Sequence, residues 1–270
     1  MAKSHEIDFN LYGDDMQFVE IELDGGESVV AEAGAMMYMD EKISMETIFG
    51  DGSSNSHGKG LMGKLMGAGK RVITGEGLFM TVFTNTVGEK AHVSFAAPYP
   101  GKIIPVVLTE FGGNLICQKD AFLCAAKGVS IDIHIQKKIG AGFFGGEGFI
   151  MQKLEGDGMA FLHAGGTIIR KDLQENQVLK LDTGCLVAMT SDVEYDVQFA
   201  GSIKSGLFGG EGLFLATLKG PGTVWLQSLP FSRMADKVYS AAGRGGKGES
   251  KGFNNPIEEL SGLTNLFGRD

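Results

Sequence analysis

The chain has 270 residues, a formal net charge of −9, and 42 glycines against only 6 prolines. At about 150 residues per domain, that length predicts two domains or one large all-β unit. The negative field repels phosphates, so a sequence-independent nucleic-acid binder is disfavoured and no nucleic-acid partner is expected. The longest apolar runs, such as Ile103–Leu108, fall far short of the ~20 residues that span a bilayer. The first residues carry acids where a signal peptide would be apolar, so export by that route is not expected. Cys117, Cys124 and Cys185 are odd in number and lack C-x-x-C spacing. They suit a reducing compartment and read as buried small apolar residues. The expected location is cytoplasmic, with a peripheral position at the inner face of the membrane as its extension.

In chain order, alternation of apolar residues in Phe18–Leu23 predicts a strand, as it does in Val129–Ile135 and Val193–Val197. The string Gly-Glu-Gly precedes an apolar strand three times, at Gly75-Glu76-Gly77, Gly146-Glu147-Gly148 and Gly210-Glu211-Gly212. The second and third copies lie 64 residues apart, and that offset persists through Leu154/Leu218, Gly156/Gly220 and Phe161/Trp225. The turns Glu155-Gly156-Asp157-Gly158 and Lys219-Gly220-Pro221-Gly222 read as hairpins at matching places. Upstream, the first and third copies align at an offset of 150 through Glu22/Asp172, Gly34/Gly184 and Met39/Met189. Asp120 aligns with Asp182, and His163 with Gln227, as a tolerated polar edge position.

A whole strand–turn–strand unit is therefore triplicated. The units are residues 1–97, 98–163 and 164–235, and 236–270 form a Gly-rich linker and short helical tail. The stretch from Ile43 to Glu76 is 15 residues longer than its counterparts, because the first unit holds a Gly/Ser/Met-rich insertion. Met234–Tyr239 starts a helix, and Ile257–Leu263 after Pro256 reads as a second short one. Short strands separated by turn signals predict an all-β chain, and the recurring turns and close strand approaches account for the glycine.

Ala33–Met39, the three Gly-Glu-Gly strands, Phe95–Lys102 and Leu181–Ala188 together give a pattern that resembles the family named for altered inheritance of mitochondria. The resemblance covers residues 6–240. It implies three tandem short double-stranded β-helix units, like those of tryptophan-RNA-binding attenuation protein, in a pseudo-threefold arrangement. It further implies a homotrimer whose three chains close a ring of nine units. The family supplies no catalytic residues.

Repeat symmetry places Glu76, Glu147 and Glu211 at equivalent positions, where three carboxylates on one axis could hold a cation; the plainer expectation is that each accepts backbone N–H bonds between its glycines. The five histidines show no metal-ligand spacing, and no nucleophile elbow or phosphate loop is present. No cofactor, metal or catalytic residue is therefore expected. The segments before each Gly-Glu-Gly combine glycine, lysine and apolar residues: Leu61, Met62, Leu65 and Met66 in the first, Phe143 and Phe144 in the second, Leu207 and Phe208 in the third. Multiplied by trimerisation, such tips would form a cationic, apolar rim for an anionic membrane or a protein partner; packed along a seam, they would bury one another. The expected function is a non-enzymatic homotrimeric scaffold or interaction protein. The alternative is a small-molecule or metal-binding double-stranded β-helix protein with enzymatic activity.

Overall fold

The computed structural model describes residues 3–49, 79–137, 149–199 and 214–244. Contacts divide the chain into two units, Met1–Phe231 and Ser232–Asp270. The first third holds β1 (Asp8–Tyr12), β2 (Phe18–Leu23), β3 (Ser28–Glu32), β4 (Met36–Met39), β5 (Ile43–Phe49), β6 (Phe79–Asn85) and β7 (Ala91–Ala96). The middle holds β8 (Gly101–Val107), β9 (Asn114–Gln118), β10 (Phe122–Ala126), β11 (Ser130–Lys137), β12 (Phe149–Glu155) and β13 (Met159–Gly165). The last holds β14 (Ile168–Leu173), β15 (Val178–Asp182), β16 (Leu186–Met189), β17 (Glu194–Phe199), β18 (Phe214–Lys219) and β19 (Gly222–Gln227), followed by α1 (Phe231–Arg244). The chain is thus predominantly β, as its alternating segments predict.

The strands form four antiparallel sheets. In order across each they are β1-β2-β7-β4, β5-β6-β3-β10-β13-β8, β11-β12-β9-β16-β19-β14 and β15-β18-β17. The two six-stranded sheets are built alike, each strand of one lying six places further along the chain in the other. Three apolar cores separate the four sheets. Val19, Ile21 and Phe95 of the first sheet meet Val29, Phe83 and Phe161 of the second. The opposite face of the second, through Val30, Val82 and Leu162, meets Leu115, Leu154 and Trp225 of the third. Ile116, Met151 and Val224, on the far side of the third, pack with Leu218 of the fourth.

This layering explains two kinds of strand sequence. Phe18–Leu23 alternates because only one face of the first sheet is covered, so Val19, Ile21 and Leu23 are buried and the residues between them are not. Phe122–Ala126 lies in a sheet covered on both faces and is buried at all five positions, which requires a continuous apolar run. The hairpin turns are found where the sequence puts them, between β12 and β13 and between β18 and β19. Gly156 and Gly222 in these turns have φ of 148° and 141°, a region that a side chain disfavours.

Two details of the repeat alignment need correction. Gln118, not Asp120, corresponds to Asp182: the two oppose Met151 and Leu215, which are 64 residues apart, and each precedes a 3₁₀ turn. Asp120 falls inside its turn, where spacing is set by backbone register and not by residue identity. His163 does not occupy a polar edge position. It is 2% exposed on β13, which is paired on both sides.

Turns at one end of the first unit are joined through Asn85, which is fully buried. Its side-chain amide donates to the carbonyls of Leu23 (2.8 Å) and Glu89 (2.7 Å), and its carbonyl accepts from the backbone N–H of Val87 (3.1 Å). Asn85→Ala leaves these groups without that partner and is expected to cost about 2–3 kcal/mol. Urea unfolding should show a lower midpoint at unchanged slope; an unaltered midpoint would contradict the bridging role.

Candidate functional site

Successive parts of the chain are joined edge to edge. In the second sheet β3 pairs with β10, placing Ala31 opposite Cys124 and Val30 opposite Ala125. In the third sheet β9 pairs with β16, placing Cys117 opposite Ala188 and Ile116 opposite Met189. The strands on either side keep the same register. Ala31, Cys117 and Leu181 oppose Thr81, Gln152 and Ala216 on β6, β12 and β18. Tyr38, Cys124 and Ala188 oppose Ser94, Phe161 and Trp225 on β7, β13 and β19, each just after a bulge.

Among the described residues, β4 pairs only with β7, and β15 only with β18. They are the strands whose counterparts, β10 and β16 for one and β3 and β9 for the other, lie inside sheets. Other edges, such as β5, β11 and β17, recur at the same place in every part.

The open strand β4 is apolar. Met36, Met37, Tyr38 and Met39 are 37%, 54%, 41% and 36% exposed, whereas every residue of β10 and β16 is buried. Beside it on the outer face of the first sheet, the Tyr12 and Phe18 rings stack at 5.0 Å, and Tyr38 meets Phe18 edge-on at 6.3 Å. Both tyrosine hydroxyls donate to Glu20, Tyr12 at 3.3 Å and Tyr38 more closely, and the Glu20 carboxylate holds both phenols above their ordinary pKa. At the other end β15 exposes Val178 and Lys180 and half-buries Leu179 and Leu181 against the third core.

Burial shifts several titratable groups nearby. Glu32 ends β3; burial first, and the neighbouring Asp120 second, push its carboxyl up to about 7. The His163 ring packs edge-on against Tyr99 at 4.4 Å, and burial lowers its pKa to about 4. Cys117 and Cys124 are buried, as the sequence predicts, and burial pushes the Cys117 thiol up to about 12, far from a reactive thiolate. Cys185 is half-buried. No group of three or more His, Cys, Asp or Glu among the described residues could hold a metal ion. No helix among them is long and apolar enough to cross a membrane.

Every site residue singled out in the sequence lies outside the described residues: Glu76, Glu147 and Glu211, and Leu61, Met62, Leu65, Met66, Phe143, Phe144, Leu207 and Phe208. The open edges were missed. A usable signal was present, since Met36–Met39 is as apolar as its counterparts Phe122–Ala126 and Leu186–Met189 although it belongs to the first unit of the series.

Comparison with known proteins gives one consistent result. The family model described as mitochondrial biogenesis AIM24 matches residues 9–229. An uncharacterised protein of Streptococcus pyogenes serotype M6 is 31% identical over 225 residues, covering 82% of this chain and 85% of its own. A crystal structure of a Streptococcus pyogenes protein superimposes with a TM-score of 0.68 at 24% identity, covering 87% of this chain and all of the other; it establishes likeness of fold.

Glu32 and His163 set opposite pH dependences. Glu32 has a folded pKa above its ordinary 4.5, so folding takes up a proton and stability falls as pH rises from about 4.5 through about 7. Glu32→Gln should raise stability by about 1–3 kcal/mol near pH 8 and by much less near pH 4. His163 has a folded pKa below 6.5, so stability falls as pH drops from about 6.5 towards about 4. His163→Gln, the residue β19 carries at that place, should remove this acid-side loss. Urea unfolding across the pH range checks both; parallel pH profiles for variants and parent would contradict them.

Proposed function

The chain belongs to the mitochondrial biogenesis AIM24 family, and from that premise we propose that it is a non-enzymatic scaffold assembled from copies of itself, β15 of one copy adding to β4 of the next. The observation that carries this reading is the pair of open edges. Applying the register of the two internal junctions to these strands sets Tyr38 opposite Leu181 and Met39 opposite Lys180 of a neighbouring copy. Backbone groups along both edges would then be paired, as they are at β3/β10 and β9/β16.

Side chains support the same partner. Phe18 and Tyr38 hold the places of Ile103 and Cys124, both of which pack in the first core. In the assembly they would cover Leu179, Leu181 and Tyr195, which edge the third core and are only partly buried. A series of stacked units that stopped at its own ends would need polar outer faces. Met36–Met39 is not such a face, and a second copy is its fitting cover.

The resemblance to attenuation-protein-like units supplies the closure: three units per chain, three chains, and a ring of nine short β-helices. The scaffold's use would be to present one surface in several copies to a membrane or a protein assembly, so that weak contacts add.

The wild-type chain should have three times the 28.7 kDa chain mass by light scattering. Tyr38→Asp and Lys180→Asp each alter an exposed edge residue and should each give a folded monomer, because the junction would bury an unpaired carboxylate at a cost of several kcal/mol. A monomeric wild type with an intact β spectrum would sink the scaffold reading.

A further inference from the structure

Among the described residues, α1 is the one α-helix. At 100° per residue, Phe231, Met234, Ala235, Val238 and Tyr239 fall in one continuous arc, and Ser232, Arg233, Asp236 and Lys237 fall in the other. The outer part of the apolar arc is open, since Val238 is 64% and Tyr239 83% exposed, while Met234 and Ala235 are partly buried. The Phe231 ring lies 5.3 Å from that of Tyr99. Charge is local too. Residues 233–251 carry five basic and two acidic side chains, in a chain whose net charge is −9.

We propose that α1 is a membrane-surface helix that lies in the headgroup region of an anionic bilayer. Segregated apolar and charged arcs with low overall hydrophobicity are the signature of a helix that lies in an interface without crossing it. Tyr239 suits the headgroup level, where its ring is buried and its hydroxyl hydrated. Lys237 can extend its aliphatic stem along the apolar arc and carry its charge to lipid phosphates. Each basic residue near an anionic surface contributes about 1 kcal/mol, so one helix with two large aliphatic anchors binds weakly. Useful affinity rests on the homotrimeric reading, in which three helices engage one surface and their contributions multiply.

The test is flotation of the full chain with vesicles of phosphatidylcholine alone or mixed with phosphatidylglycerol, the mass of each protein being followed by light scattering. Wild type should float with the mixed vesicles, not with phosphatidylcholine alone, and less at high salt. The double variant Val238→Asp/Tyr239→Asp should lose at least about tenfold of the bound fraction at unchanged mass, and Lys237→Glu should lose less. A trimeric wild type that stays unbound overturns the lipid proposal and leaves the scaffold reading standing. Equal flotation of wild type and double variant overturns it as well, as does a double variant whose assembly mass changes, since the helix would then cover a second copy. A monomeric wild type that floats through α1 supports the membrane helix and contradicts the ring.

Discussion

Edge-to-edge pairing of antiparallel strands is the constraint on which the rest of the molecule depends. Each of the two central sheets is completed by strands from consecutive parts of the chain, β3 with β10 and β9 with β16. Those pairings bring the apolar faces of neighbouring parts into shared cores, and they bury Ala31, Cys117, Cys124 and Ala188 completely. Linear repetition of this device necessarily leaves one donor edge and one acceptor edge. Here they are β15 and β4; β4 is wholly apolar and carries none of the charges or prolines that usually protect a sheet edge, while β15 carries Lys180 and Asp182.

The cost of such a plan is visible at the seams. Glu32 closes β3 beside the turn that carries Asp120, so a carboxyl is held half-buried next to a second acid and its pKa rises. Its counterparts Gln118 and Asp182 differ in charge, which makes each seam electrostatically distinct although the backbone register is the same. The buried His163 is the matching case on the basic side, a neutral imidazole where β19 has Gln227, whose amide accepts from Gly165 N–H and donates to the Gly184 carbonyl at 2.8 Å.

Much of this was legible in the sequence because side-chain period reports burial directly. Alternation in Phe18–Leu23 marked a one-sided sheet, and the 64-residue offset through Phe161 and Trp225 survives as strand register. The turn residues were equally plain. What period alone could not carry was the fate of a strand end. Met36–Met39 reads like any interior strand, and only the topology reveals that among the described residues it pairs on one side alone. Asp120 was misaligned because a 3₁₀ turn keeps its length but not its residue identities. His163 was misplaced because a lone histidine against a glutamine looks polar, while its neighbours on β13 and Tyr99 enclose it.

Cys117, Cys124 and His163 are buried, whereas the exposed features include an apolar strand, an aromatic cluster and an amphipathic helix. On the scaffold reading proposed above, all three are surfaces for association. The most direct measurement of the central claim is a mixing experiment with Tyr38→Asp, which leaves β15 intact, and Lys180→Asp, which leaves β4 intact. Edge pairing predicts that each variant alone is monomeric and that an equimolar mixture gives a species of two chains and no larger one in native mass spectrometry. A mixture that stays monomeric, or variants that still assemble alone, would contradict the pairing of β4 with β15.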